Sequence, residues 1–361
     1  MARRKGVSIV NFYLDNGFLN IPEVERYADK HGVNYIFIIG KRQVGKTYGV
    51  LKLMLDTGKT FILMRRTAKE LGLIAKGVNS PFEALDGYEG RVSFSGSADD
   101  TTMEMSLTDT DSTEDKHTHK IGLAVALSTV ASIRGFNGRP YTDMVYDECI
   151  PESHVYKIPF EDEAFNNAYM TINGNRELKG DKALRCWLLA NSNRLDCAIL
   201  KALKLTDVVE KMSKTGEEFR LLKERGIMIF MPSSVEITER HKETALFRAI
   251  GGENNFTKMA LENEFSHNDF SDVGREEFNQ YKLLCNLEGD MALMKHKSKA
   301  RLYVCERYYW GDDVPEYNRQ DYGRNKFIKD YPNVRSYYLR GKMRFQNATI
   351  KYQFLAYMKL I

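Results

Sequence analysis

The stretch "GKRQVGKT" sets Gly40, Gly45, Lys46 and Thr47 at the spacing G-x-x-x-x-G-K-[ST]. Each fixed position has a physical use in holding a phosphate. Two glycines let the backbone curl so that successive N–H groups face phosphate oxygens, and the helix that follows turns its positive end toward the same anion. Lys46 would bridge the β- and γ-phosphates, and the Thr47 hydroxyl would ligate Mg²⁺. The nucleotide-binding set is thus Gly40, Lys41, Arg42, Gln43, Val44, Gly45, Lys46 and Thr47, with ATP and Mg²⁺ as the expected ligands.

A phosphate loop that hydrolyses its nucleotide also needs a carboxylate for the metal and a base for the attacking water. "MVYDE" supplies both at the end of an apolar run. Asp147 suits the metal and Glu148 the water, because adjacent residues leaving a strand point in different directions. "LLANSN" closes a second apolar run on amide side chains, and Asn191 is the candidate to sense the γ-phosphate, since an amide can hydrogen-bond both phosphate and water. A turn built from Asn and Ser explains the same residues on local grounds. Arg134 and Arg139 in "SIRGFNGRP" and Arg176 in "NGNRE" are candidates for a cation that reaches a neighbour's site. Arg65 and Arg66, after another apolar run, are better placed for the nucleotide or for core packing.

These residues need a scaffold, and the sequence patterning describes one. "NYIFII" (34–39) reads as a buried parallel strand, and Val50, Leu51, Met54 and Leu55 share one helical face until Asp56-Thr57-Gly58 stops it. "TFILM" (60–64) follows as the next strand, which completes the βαβ unit a phosphate loop requires. "RVSFS" and "TMEMSLT" alternate with period two and read, with "IGLAVALS", as an antiparallel hairpin beside a parallel sheet. Residues 160–176 have helical spacing, "DVVEKMSKTGEEFRLLKERG" reads as helical and charged, further helical spacing covers 240–249 and 256–264, and "ARLYVCERYYW" (300–310) reads as a strand. The expected organisation is α/β: a P-loop ATPase domain with a mainly parallel sheet over 1–200, a helical linker over 201–226, and a smaller α+β, basic carboxyl-terminal domain over 227–361.

At 361 residues the chain is long enough for two domains. No apolar run is long enough to cross a bilayer, and the basic start "MARRKGVSIVNFYLDNG" is interrupted by polar residues too soon for an export signal, so no membrane partner is expected. The cysteines form no C-x-x-C pair and read as free thiols in a reducing compartment. His117 and His119, in a polar segment with no second ligand cluster beside them in sequence, read as a surface loop. Residues 291–361 hold 15 Lys and Arg against 6 Asp and Glu, while the first 290 residues carry a net −5. That asymmetry fits a polyanion-facing tail on an acidic body, and equally a solvated basic surface.

Together, "GKRQVGKT" (40–47), "SIRGFNGRPYTDMVYDE" (132–148) and "LLANSN" (188–193) resemble the viral double-stranded DNA packaging ATPases, the terminase-like ring motors. The likeness is greatest to the compact packaging ATPases of small tailed phages with protein-primed genomes, and it covers roughly residues 30 to 195. It implies a RecA-like (ASCE) ATPase domain in a homomeric ring, a pentamer, docked on the portal (connector) of an empty procapsid and pumping double-stranded DNA. A structural RNA is a further partner the resemblance admits. The implied location is the host cell cytoplasm, transiently on the assembling procapsid and absent from the mature virion.

By position in the motifs, Lys46, Thr47, Asp147 and Glu148 take the catalytic and metal roles. Arg176 resembles the trans-acting arginine, Arg134 a second charged residue at the subunit interface, and Lys41 and Arg42 two cations that could link the triphosphate to a neighbour. Larger relatives carry a ribonuclease H-like nuclease. Here Glu306 alone of the acids after residue 290 lies in a convincing strand, so the carboxyl-terminal domain is expected to resemble an inactive version of it. A cellular or plasmid DNA-pumping ATPase, or a large terminase that also cuts DNA, shares most of these motifs. A GTPase switch does not, because the guanine-reading [NT]-K-x-D element has only "NSNRLD" as its nearest likeness.

Overall fold

The computed structural model describes residues 11–40, 43–77, 80–96, 102–109, 117–129, 137–151, 158, 160–191, 195, 197–233, 243–250, 271–311 and 313–360. The chain forms two units, one of residues 1–202 and 211–267, the other of 203–210 and 268–361.

The first unit is built on a nine-stranded sheet in the order β3-β4-β5-β2-β6-β7-β1-β9-β8. Its strands are β1 (Tyr35–Gly40), β2 (Phe61–Arg65), β3 (Val92–Ser95), β4 (Thr102–Thr108), β5 (Thr118–Ala126), β6 (Asp143–Asp147), β7 (Arg185–Asn191), β8 (Phe219–Leu222) and β9 (Ile227–Phe230). The six strands from β5 to β9 in that order are parallel, and antiparallel strands complete both edges. β2 and β6 are buried at every position and β9 likewise, which is why they read as unbroken apolar runs rather than alternating ones.

Helix α1 (Ile21–His31) precedes β1, and α2 (Lys46–Asp56) follows the phosphate loop, burying Val50, Leu51, Leu53, Met54 and Leu55. Gly49 lies inside α2 because a Cβ there would meet Ile21 Cγ1 of α1 at 2.5 Å, so the two helices could not approach as they do with any larger residue. α3 (Ala68–Ala75) opens with a capping box between Thr67 and Glu70, and α4 (Glu161–Asn173) falls where helical spacing places it.

Three features depart from the sequence expectation. "FRLL" is not helical but the edge strand β8, since Gly216 (φ 65°) ends the preceding helix at Thr215 and frees the chain to pair. "IMIF" then pairs in parallel with β1 as β9. The expected linker over 201–226 and second domain from 227 are therefore corrected: residues 219–230 complete the first sheet, and the second unit begins near Asn268, with 203–210 joined to it. The polar segment carrying the histidines is also partly strand, because β5 extends back through His119 to Thr118. The expected helical stretch 256–264 lies outside the described residues.

The second unit holds a five-stranded sheet, β13-β10-β11-β12-β14. Strands β10 (Tyr281–Leu287), β11 (Met291–His296) and β12 (Leu302–Glu306) run antiparallel, while β13 (Glu316–Tyr317) and β14 (Met343–Phe345) pair in parallel at the edges. Its core gathers Leu287, Leu293, Val304, Phe327, Phe345 and Phe354 from strands and from helices Asp321–Asp330 and Ala348–Tyr357. This is the α+β composition expected of the carboxyl-terminal part.

Candidate nucleotide site

Parallel pairing sets the carboxyl ends of β6, β7 and β1 side by side, with Gly40 opposite Asn191 and Asp147 opposite Leu189. β7 thus stands between the phosphate-loop strand and the acidic strand, and its terminal amide faces the loop. In the loop, Gln43 (φ 58°) and Gly45 (φ 83°) both take left-handed backbone values. For Gln43 that conformation is uncommon, and Gly45 could not be replaced freely, since a Cβ there would also crowd Phe18 Cδ1 at 3.2 Å.

Helix α2 starts at Lys46 with Gly45 as its N-cap, no side-chain cap and no acidic residue in its first turn. α1, by contrast, is capped by Asn20 and carries Glu23 in its first turn. The positive end of α2 is therefore left for an external anion.

The buried Lys46 ammonium donates to the Gly40 carbonyl at 3.1 Å and to Asn191 Oδ1 at 3.1 Å. Beside it, Thr47 Oγ1 donates to Asp147 Oδ1 at 2.9 Å. Asp147 is 4% exposed and also accepts from the Glu148 backbone N–H at 3.1 Å. A hydroxyl against a carboxylate is a donor set for a hard cation that keeps part of its water shell, so the residues fit Mg²⁺ with a nucleoside triphosphate. Glu148 leaves the strand in a left-handed conformation (φ 56°), and its side chain is 62% exposed where that of Asp147 is buried. The turn separates the two carboxylates, one buried beside Thr47 and one toward solvent.

Arg65, at the end of β2, joins both. Its Nη2 lies 3.1 Å from Asp147 Oδ2 and its Nη1 3.2 Å from Glu148 Oε2. Sequence reasoning leaves Arg65 between nucleotide and core, and its bridging of the two acids is visible only once β2 and β6 are paired. Arg66 turns the other way, 1% exposed and fork-bonded to Glu161 at 2.7 and 3.1 Å, which makes it a core ion pair.

Of the arginines proposed to act between subunits, Arg176 is not brought to this site. Arg176 is 6% exposed, and its guanidinium donates to the carbonyls of Gly138 and Ile172 of its own chain. It lines a cavity of about 500 Å³ with Lys59, Thr142, Asp143 and Arg185. Those residues mark the amino ends of β2, β6 and β7, roughly 20 Å along the strands from the phosphate loop. Arg176 therefore has no part in its own chain's site, and to enter a neighbour's it must first release two carbonyls. Arg139 lies in a turn with its backbone N–H on Asn137 Oδ1. Arg134, Lys41 and Arg42 lie outside the described residues, as do Ser192 and Asn193.

Residues 27–353 match the podovirus DNA encapsidation protein (Gp16) family. The chain belongs to that family. Two solved structures share its fold along nearly the whole chain. The phi-28 gp11 DNA packaging motor superposes with a TM-score of 0.63 at 14% identity, over 93% of this chain and 97% of that one. The bacteriophage phi-29 viral genome packaging motor assembly gives 0.60 at 16% identity, over 96% and 100%. None of the curated proteins matches the chain. With the strand order above, the first unit is a RecA-like ATPase fold.

Proposed function

We propose that this chain is the ATP-driven motor of viral DNA packaging, hydrolysing ATP to translocate double-stranded DNA into a preformed procapsid. Membership of the DNA encapsidation family supports the cargo. The observation that supports the enzymology is the paired contact of Lys46, at the start of α2, with Asn191 at the end of β7, and of Thr47 with Asp147 at the end of β6.

ATP brings Mg²⁺, which neutralises developing phosphate charge when bound. The chain's own residues do the rest. Lys46 turns from the Gly40 carbonyl and Asn191 to the phosphates, so nucleotide arrival changes what Asn191 holds and transmits occupancy to β7. Thr47 and Asp147 hold the metal side, and Glu148, freed from Arg65, takes the proton of the attacking water. Arg176 is the residue proposed to complete a neighbour's site in a homomeric, pentameric ring, with Arg134 beside the interface. The ring works on the portal in the host cytoplasm and leaves before the virion matures, with a structural RNA as an admissible partner.

The second unit is proposed to contact DNA phosphates or the portal rather than to cut DNA. Four of the acids after residue 290 are engaged in other ways: Glu316 pairs with Arg307, Asp313 accepts from Tyr309, Asp321 pairs with Arg324, and Asp330 accepts from Tyr317. The outer face near β12 instead presents Trp310, 68% exposed, with the Arg307 guanidinium 3.9 Å above its ring. ATP turnover of the purified chain with and without double-stranded DNA tests the proposal. DNA-stimulated turnover that disappears in Lys46→Ala is expected, and turnover that survives that change would remove the basis for it.

A further inference from the structure

Asp109, His117 and His119 form a ligand-type cluster that the ATPase site does not use. β4 and β5 pair antiparallel with Thr108 opposite Thr118 and Leu107 opposite His119, and the Asp109 N–H donates to the His117 carbonyl at 2.9 Å. Asp109 therefore faces His117 across the pair. His117 and His119, two residues apart on an extended chain, project to that same face. The sequence conceals this, because Asp109 is eight residues from the first histidine and only strand pairing brings it back.

The geometry converges on one point. Asp109 Oδ2 lies 3.7 Å from His117 Nδ1 and 3.6 Å from His119 Nδ1, and one ligand atom from each residue lies within 4.8 Å of the others. Those separations are too long for hydrogen bonds. They are close to the edge of a tetrahedron around a metal with bonds near 2.05 Å, about 3.3 Å. Arg91 Nη2, 3.9 Å from Asp109 Oδ1, lies on the other carboxylate oxygen and so biases Oδ2 toward the imidazoles.

We infer that Asp109, His117 and His119 bind a single divalent transition metal of the Zn²⁺ class. Two imidazoles and one carboxylate are a borderline donor set that selects Zn²⁺, Co²⁺, Ni²⁺ or Cu²⁺ over Mg²⁺ and Ca²⁺, which prefer oxygen alone. Three protein ligands leave the fourth position to water. Bound there, the cation ties the end of β4 to the start of β5. Among the described residues no other group of three such side chains converges in this way, and all five cysteines are buried, so added zinc meets no exposed thiol.

The test is titration of the EDTA-stripped, tag-free full chain with Zn²⁺ in excess Mg²⁺, which fills oxygen-only sites, together with visible absorption on adding Co²⁺. One equivalent should bind, with a Co²⁺ band in the visible. Affinity should fall at least about tenfold in H117A/H119A and in Asp109→Asn, and stay unchanged in His31→Ala. The histidine side chains are 77% and 45% exposed, so these changes leave the core intact, and an unaltered melting curve of each variant in EDTA verifies that. Zn²⁺ uptake equal in wild type and H117A/H119A, or none in wild type, would overturn the assignment.

Discussion

Replacing Arg65 with Met tests whether this residue holds the two acids of the site before nucleotide arrives. The substitution keeps most of the aliphatic stem and removes the guanidinium from Asp147 and Glu148. The Glu148 half of the bridge is at a carboxylate 62% exposed and contributes at most about 1 kcal/mol. The Asp147 half is different, because that carboxylate is 4% exposed and would be left buried without its cation. Breaking such a pair costs about 3–5 kcal/mol, and the bonds Asp147 retains to Thr47 and the Glu148 N–H place the expected loss near the lower end, about 3 kcal/mol. For a unit of this size that is a fall in Tm of roughly 6–12 °C. Mg²⁺ with a non-hydrolysable ATP analogue should then raise the Tm of R65M by more than that of wild type, since in the variant the incoming cation supplies the missing charge and displaces nothing. Thermal melts with and without the Mg²⁺-nucleotide measure both effects. An R65M protein as stable as wild type, or one with the same ligand-induced shift, would refute the reasoning.

Glu148→Gln should bind ATP normally, because the change keeps the size of a side chain that is 62% exposed, and lose at least about a hundredfold in turnover as a missing general base does, measured by nucleotide binding against phosphate release. Arg176→Ala protomers mixed with wild type should depress activity more steeply than simple dilution if the residue acts in trans. A linear loss accompanied by a lower Tm of the isolated variant would assign Arg176 instead to holding Gly138 and Ile172 in its own chain. In the second unit, burial holds the Glu288 and Asp290 carboxyls above their ordinary values. The folded unit then keeps protons that the unfolded chain has lost, so these groups make stability fall as pH rises from the ordinary carboxylate range through the raised values. Glu288→Gln should flatten that slope in urea unfolding followed between pH 4 and 7, and an unchanged slope would count against it.

The candidate nucleotide site is the most legible part of this chain because each component closes a short apolar run. "NYIFII", "MVYDE" and "LLANSN" carry their chemistry at the carboxyl end of a buried strand, and parallel pairing brings strand ends together without help from the intervening loops. What the pattern leaves open depends on partners distant in sequence. "IMIF" looks the same whether it joins the first sheet or a second, and its pairing with β1 alone decides the domain boundary. "FRLLKER" is charged enough to extend a helix until Gly216 stops it. The burial of Arg176 rests on carbonyls from a turn 38 residues upstream and from the last turns of α4, which no local spacing reveals. Arg65 is similar: the sequence brings two arginines to the end of β2, and only the packed sheet shows one meeting the acidic pair and the other Glu161.

The site built by Lys46, Thr47, Asp147, Glu148 and Asn191 is proposed to power DNA movement. The most direct measurement of this is protection of double-stranded DNA from added nuclease by purified empty procapsids of the same virus, supplied with this chain, ATP and Mg²⁺. Wild type should protect the DNA in an ATP-dependent manner, and Lys46→Ala and Glu148→Gln should protect none. Protection by either variant, or by wild type without ATP, would contradict the account.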